Sequence, residues 1–122
     1  MKKVLVVEDD QFLSNAYKLK LSKSGFDVSV ASDGEIGIKL MKEDKPDIVL
    51  LDLIMPNVDG FTCLESIKAD DSLKDVPVIV ASNLGQDEDV ERAKSLGAVD
   101  FIIKSNISIE EIVEKVKAVV GS

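Results

Sequence analysis

The chain has 122 residues, of which 45% are hydrophobic and 31% charged, and this balance predicts one globular domain, residues 1–122, with a buried core. The net charge of −8 argues against direct nucleic-acid binding by this domain and favours protein or cation partners, because phosphate backbones are bound by clustered Lys and Arg. The absence of histidine excludes Ser-His and Cys-His catalysis and most zinc sites, and the single cysteine, Cys63, excludes an internal disulfide.

Five short apolar runs rich in β-branched residues predict β-strands. Each run is too short for a helix and is bounded by turn or charged residues. In chain order the predicted strands are Lys3–Val7, Asp27–Ala31, Asp47–Leu51, Val78–Ala81 and Phe101–Ile103.

The segments between these strands have helical periodicity. In the first of them, one predicted apolar face contains Phe12, Leu13, Ala16, Tyr17 and Leu21. Gly25 and Gly97 follow helical segments, where glycine tolerates the left-handed backbone that often ends a helix.

Two capping boxes are predicted at helix starts, because Ser followed three residues later by Glu can satisfy the free N–H groups there. Ser32 with Glu35 opens a helix that runs to about Glu43. Ser108 with Glu111 opens the last helix, whose apolar residues recur with helical spacing up to Val120.

Strict alternation of strands and helices predicts the α/β class, a doubly wound (βα)₅ fold with a parallel sheet covered on both faces. In such sheets ligands bind beyond the carboxyl ends of the strands. Because no apolar run approaches the ~20 residues of a membrane span, and the start does not resemble a signal peptide, we expect a cytoplasmic protein without membrane association.

Polar residues follow the carboxyl ends of four predicted strands. They are Glu8, Asp9 and Asp10 after the first strand, Asp52 after the third, Ser82 after the fourth and Lys104 after the fifth. Acids gathered in one pocket repel one another and require a cation or raised pKa values. Oxygen ligands of this kind favour Mg²⁺, which commonly bridges to a substrate phosphate.

Four segments in this order resemble the response-regulator receiver family of two-component signalling, including its chemotaxis regulators. They are V-V-E-D-D, L-L-D-L-I-M-P-N-V-D-G, P-V-I-V-A-S and G-A-V-D-F-I-I-K, and the resemblance covers essentially the whole chain. It implies a flavodoxin-like fold with strand order 2-1-3-4-5.

The resemblance also assigns roles to individual residues. Asp52 would accept a phosphoryl group from a histidine kinase or a histidine phosphotransfer protein. Glu8, Asp9 and Asp52, with the backbone carbonyl of Ile54, would hold Mg²⁺. A chain of this kind promotes its own phosphorylation and dephosphorylation and is not a conventional enzyme.

The remaining roles concern the response to modification. Lys104 would pair with Asp52 before transfer and with a phosphoryl oxygen afterwards, and Ser82 would donate its hydroxyl to another phosphoryl oxygen. That new bond would draw the following loop inward and let Phe101 rotate, which changes the surface of the fourth helix, fifth strand and fifth helix. A downstream protein target would bind the changed surface.

Two features depart from the family pattern. Family members usually have a cis proline after the lysine, whereas Ser105 follows Lys104 here, so we expect a trans peptide bond. Ile54 and Leu84 are apolar where relatives often carry polar groups that guide hydrolytic water, and we therefore expect slow self-dephosphorylation.

Other interpretations of the same residues remain open at this point. Asp52 and the acids after the first strand could have no role beyond capping helices or favouring their first turns. Phe101 could simply be a core residue. A flavodoxin-like electron carrier would need a phosphate-cradling loop where Glu8, Asp9 and Asp10 stand. An aspartate-nucleophile phosphatase would have the motif D-x-D, whereas the residue two positions after Asp52 is Ile54. A receiver fold kept only for docking would not need the acids, the serine and the lysine together.

Overall fold

The computed structural model describes residues 1–53, 59–83 and 86–121. In this part of the chain five parallel strands form one sheet in the order β2-β1-β3-β4-β5, which confirms the expected topology. The strands are β1 Lys3–Val7, β2 Asp27–Ala31, β3 Ile48–Leu51, β4 Val78–Ser82 and β5 Asp100–Ile103. Their bounds differ from the predicted ones by one residue at most.

Helices connect the strands and cover both faces of the sheet. They are α1 Gln11–Lys23, α2 Gly34–Glu43, α3 Gly60–Ala69, α4 Asp87–Ser95 and α5 Ile109–Val120, with a short 3₁₀ helix at Lys104–Asn106. Within the described ranges, none of the helices is long and apolar enough to cross a bilayer.

Successive residues of the central strands belong alternately to two hydrophobic cores, one on each face of the sheet. Leu5, Val49 and Val80 belong to the core that also receives residues from α2, α3 and α4. Their neighbours Val6 and Leu50 belong to the core on the opposite face, which contains residues from α1 and α5. Both faces of the central strands are therefore dry, as expected for a parallel sheet between helices.

The start of α2 corrects one prediction. The residue that caps this helix is Asp33, whose Oδ1 accepts a hydrogen bond from the Ile36 N–H at 2.9 Å, and not Ser32. Asp33 has the extended backbone of an N-cap and is buried. Ser32 is exposed and precedes the N-cap position by one residue. Both types are good caps, so the sequence alone left the position ambiguous.

The buried face of α1 also differs from the predicted one. Tyr17 and Leu21 are buried and Leu13 packs against the same core, but the Phe12 side chain is 81% exposed. A helix turns by about 100° per residue, and Phe12 points away once Leu13 faces the sheet. The inclusion of Phe12 in the apolar face was wrong.

The last helix follows its prediction closely. The Ser108 side chain accepts from the Glu111 N–H at 3.2 Å, and both halves of the capping box are present. Gly25 and Gly97 have the positive φ angles expected of helix-ending glycines, 94° and 105°.

Candidate functional site

The register of the sheet brings the end of β1 level with the end of β3. Val7 pairs with Leu51, so Glu8 and Asp52 are the first residues beyond adjacent strands. The Asp52 N–H donates to the Val7 carbonyl at 3.0 Å, which extends the ladder by one bond and fixes the Asp52 backbone. Two carboxylates therefore leave the sheet side by side.

Glu8, Asp9 and Asp52 form an acidic cluster at this edge, with one carboxylate oxygen from each lying within 4.8 Å of the others. Glu8 and Asp52 are buried and Asp9 is exposed. In the described part of the chain this is the one group of acids whose oxygens are close enough to share a metal ion. Ile54, whose carbonyl was predicted to join them, lies outside the described residues.

Lys104 lies between the two buried acids. Its Nζ is hydrogen-bonded to Glu8 and stands 3.3 Å from Asp52 Oδ2, with only 11% of the lysine side chain exposed. When all are ionised, the three carboxylates of the acidic cluster and this ammonium carry a net charge of −2. A divalent cation matches that charge, and carboxylate oxygens are ligands that Mg²⁺ prefers. The residues present therefore fit the expected metal.

Burial and neighbouring charge change the acidity of these groups. Burial raises the pKa of the Glu8 carboxyl to about 7, and Asp52 adds to the rise while Lys104 opposes it. Burial acts to lower the pKa of Lys104, but its hydrogen bond to Glu8 and the nearby Asp52 charge outweigh that effect and raise the pKa. Without a metal ion, Lys104 is the cation that keeps the acids together.

Ser82 and Phe101 come from the other side of the sheet. Ser82 is fully buried at the end of β4 and pairs in register with Ile103, the residue before Lys104. Phe101 is half-buried and packs against the core shared by α2, α3 and α4. Ser82 lines the same pocket as Asp52 and Lys104, whereas Phe101 does not reach it. The switch role of Phe101 stays a prediction.

The pocket around these groups is open to solvent and has a volume of about 290 Å³. It is lined by Glu8, Asp9, Asp10, Leu13, Asp52, Ser82, Asn83 and Lys104. The sequence patterns did not single out Leu13 or Asn83 as pocket residues. The position of Asn83 directly after Ser82 was the available signal.

Asp10 serves the start of α1. Its Oδ1 accepts hydrogen bonds from the Phe12 and Leu13 N–H groups at 2.9 and 3.2 Å, and Asp10 is the N-cap of α1. The peptide bond between Lys104 and Ser105 is trans, as expected. Leu84 lies outside the described residues.

Another cavity, of about 220 Å³, lies at the opposite edge of the sheet. Lys3, Asp27 and Asp44 are among its lining residues, and none of the predicted site residues that the structure describes reaches it. Of these two cavities, it is therefore the one at the carboxyl edge of the sheet that the polar strand-end residues line.

Comparison with known proteins places this geometry in a family. A sequence model of the response regulator receiver domain matches residues 4–117. RpaA of Synechocystis, described as a DNA-binding dual master transcriptional regulator, is 37% identical over 89 residues, covering 73% of this chain and 37% of that protein. PilH of Pseudomonas aeruginosa is 34% identical over 91 residues, covering 73% of this chain and 74% of that protein.

Solved structures agree with the sequence matches. The receiver domain of the Francisella response regulator 1452 superposes with a TM-score of 0.91 at 29% identity, covering 99% of this chain and 98% of that one. The present chain spans well under half the length of RpaA but most of PilH.

Proposed function

The chain belongs to the response regulator receiver domain family of two-component systems, and we propose that it is a phosphorylation switch whose acceptor is the Asp52 carboxylate. The observation that carries this proposal is the acidic cluster itself, in which oxygens of Glu8, Asp9 and Asp52 lie within 4.8 Å of one another beside the Lys104 ammonium. Residues 1–122 are taken to form one receiver domain.

In the proposed reaction an oxygen of Asp52 attacks the phosphorus of a phosphohistidine on a partner protein. The bond between phosphorus and the imidazole nitrogen breaks, and the nitrogen keeps the electron pair and takes up a proton. The product is an aspartyl phosphate. Asp52 is suited to this step because its backbone is fixed by the bond to Val7 and its carboxylate faces the open pocket.

Glu8, Asp9 and Asp52, with the Ile54 carbonyl, would hold Mg²⁺ at this site. When bound, Mg²⁺ neutralises the negative charge of the phosphoryl oxygens during transfer. A proton competes with Mg²⁺ for the Glu8 carboxylate, because burial raises the pKa of Glu8 to about 7. Glu8 is therefore more available as a ligand above pH 7 than below it.

Lys104 would exchange partners during the reaction. It contacts Asp52 at 3.3 Å in the unmodified protein and would move to a phosphoryl oxygen once Asp52 is phosphorylated. The compact ammonium at the end of a flexible stem can make this exchange without moving the sheet. Glu8 would then keep one end of the lysine in place.

Ser82 and Phe101 would convert the modification into a change of surface. A hydroxyl bond from Ser82 to the phosphoryl group forms only in the modified state, so it can shift the equilibrium between two positions of the loop after β4. Rotation of Phe101 into the vacated space would follow, and the surface of α4, β5 and α5 would change.

The proposed partners are proteins. A histidine kinase or a histidine phosphotransfer protein would supply the phosphoryl group, and a downstream protein would bind the altered surface. The net charge of −8 supports a protein target for this domain and disfavours nucleic acid. RpaA is described as DNA-binding, but this chain spans only 37% of that protein.

The test is modification of the purified protein with acetyl phosphate and Mg²⁺, read by mass spectrometry, together with beryllofluoride binding read by amide NMR. Wild type should gain one phosphoryl group and Asp52→Asn none. Asp47→Asn is the matched control, because Asp47 is exposed at the other end of β3 and should be modified like wild type. Equal modification of Asp52→Asn and wild type would refute the assignment.

A further inference from the structure

The side chains that line the pocket around Asp52 divide into a buried base and an open mouth. Glu8, Asp52 and Ser82 are buried, and Lys104 is nearly so. The more exposed lining residues are Asp9, Asp10, Leu13 and Asn83. Within the described parts of the chain, these four residues form the mouth through which a molecule from solvent reaches Asp52.

Three of the four side chains at the mouth either already have an interaction in the structure or are apolar. Asp9 contributes an oxygen to the acidic cluster, and Asp10 Oδ1 accepts the N–H groups at the start of α1. Leu13 is apolar. Asn83 is exposed, and its carboxamide makes no hydrogen bond within residues 1–53, 59–83 and 86–121.

We propose that Asn83 is a further catalytic residue of this site, whose carboxamide holds the water that hydrolyses the phosphorylated Asp52. The proposal rests on the proposed function, because it concerns the fate of the aspartyl phosphate. It assigns a residue that sets how long the modified state lasts.

The hydrolysis step places specific demands on the group at the mouth. The water oxygen must form a bond to phosphorus from the side opposite the Asp52 oxygen, which is the open side of the pocket. The bond between phosphorus and that Asp52 oxygen then breaks, and Asp52 leaves as a carboxylate. One proton of the water stays on the attacking oxygen and the other passes to a phosphate oxygen, which gives dihydrogen phosphate.

A carboxamide meets these demands better than the other residues at the mouth. Its carbonyl oxygen accepts a hydrogen bond from the water, and its NH₂ group can donate to a phosphoryl oxygen. It carries no charge, whereas Asp9 and Asp10 repel the anionic phosphoryl group. Asn83 is directly attached to Ser82, which is predicted to bind the same phosphoryl group, so the two residues are placed together.

The apolar residues Ile54 and Leu84 give this proposal its importance. The resemblance to the receiver family implies polar, water-guiding groups at these two positions, and this chain has apolar residues there. With those positions apolar, Asn83 supplies the water-binding function that they lack. The expected slow hydrolysis then depends mainly on this one side chain.

The test measures phosphate release from protein that has been modified with acetyl phosphate, freed of the reagent and kept in Mg²⁺. Asn83→Ala should release phosphate about tenfold more slowly than wild type, the effect of losing one ordinary hydrogen bond in the transition state. Asn83→Asp has the same shape but loses the donor and adds a charge, so it should be slow as well. Asn106→Ala, an exposed asparagine outside this pocket, should match wild type.

The possible results separate the two proposals. Beryllofluoride binding by Asn83→Ala in amide NMR shows that the acceptor site is intact in the variant. With that established, wild-type or faster release from Asn83→Ala, or a wild-type rate in Asn83→Asp, overturns the role of Asn83 and leaves Asp52 as the acceptor. A wild type that takes up no phosphoryl group overturns both.

Discussion

Replacing Lys104 by methionine should destabilise the metal-free protein at pH 8 by about 3 kcal/mol. Lys104 Nζ lies 3.3 Å from Asp52 Oδ2 and also pairs with Glu8, and the three side chains are 11%, 9% and 3% exposed. At an effective dielectric constant near 20, the contact with Asp52 alone corresponds to about 5 kcal/mol of attraction. Relaxation and partial hydration recover some of this, and removal of one partner from a buried pair typically costs ~3–5 kcal/mol.

The loss should be smaller at pH 6. The pKa of Glu8 in the folded protein, about 7, lies above the value of ~4.3 expected in the unfolded chain. The stability that protonation of Glu8 provides is complete below the unfolded pKa and is lost as the pH rises through the folded pKa. Without Lys104 the folded pKa rises further, so between pH 8 and pH 6 the variant gains more stability from protonation of Glu8 than wild type does. This extra gain is at most about 1.4 kcal/mol, so the penalty falls to about 2 kcal/mol.

Urea unfolding followed by circular dichroism, at both pH values and with or without Mg²⁺, measures these effects. Mg²⁺ should restore most of the lost stability, because a cation that binds only the folded acidic cluster shifts the equilibrium toward it. The control is Lys115→Met, which removes an ion pair of 3.1 Å with Asp100 whose side chains are 43% and 36% exposed. Such an exposed pair is worth about 0.5 kcal/mol. Equal losses in the two variants, unaffected by pH and Mg²⁺, would refute the reasoning.

Two predictions concern the elements that position the site. Gly60→Ala should cost at least 2 kcal/mol in urea unfolding, since its methyl group would lie 2.4 Å from the Asp52 carbonyl oxygen and 2.4 Å from the Leu53 Cα, and backbone atoms cannot rotate away. Gly25→Ala, with φ of 94° but nothing within 4 Å, should cost only ~1 kcal/mol, and the reverse order would contradict the packing. Asp33→Ala should cost about 1 kcal/mol in the same assay and Ser32→Ala almost nothing, because Asp33 caps α2. A larger loss of stability for Ser32→Ala than for Asp33→Ala would support the predicted capping box of Ser32 and Glu35 instead.

The fold was predictable from the sequence where a pattern has one physical interpretation. The wholly apolar runs Val4–Val7 and Ile48–Leu51 must be buried on both faces, which requires a parallel sheet between helices. The apolar pattern identifies such strands but does not tell which strands pair with each other in the sheet. The order of the strands came from the resemblance to the receiver family, because the pairing of β1 with β3 depends on contacts far apart in the sequence.

The candidate site was predictable because it depends on strand ends. A residue directly after a strand of known end lies at a known edge, so Glu8, Asp52 and Lys104 could be placed together before their distances were known. Asn83 was missed because β4 was predicted to end at Ala81, so Ser82 was taken as the residue directly after the strand. Nothing in its residue type distinguishes a pocket asparagine from a turn asparagine.

Local errors arose where two neighbouring residues offer the same chemistry. Ser32 and Asp33 can both cap a helix, and the choice depends on which residue has the extended backbone that precedes the first turn. Phe12 and Leu13 are both apolar, and the choice of inward residue depends on where α1 begins to turn. Asp10 fixes that start by accepting the Phe12 and Leu13 N–H groups.

The packing of the helices indicates which part of the molecule can respond most easily to a change at Asp52. The helix α3 begins against the Asp52 backbone and buries five of its residues, whereas α4 buries only Ala93. A helix that buries little apolar surface opens or shifts at low free-energy cost. Because Ser82 ends the strand that leads into α4, a displacement of Ser82 toward a phosphoryl group is most cheaply taken up by α4. The proposed change of surface at α4, β5 and α5 therefore follows from unequal packing of the two helices beside the acceptor, and tighter anchoring of α4 should weaken it.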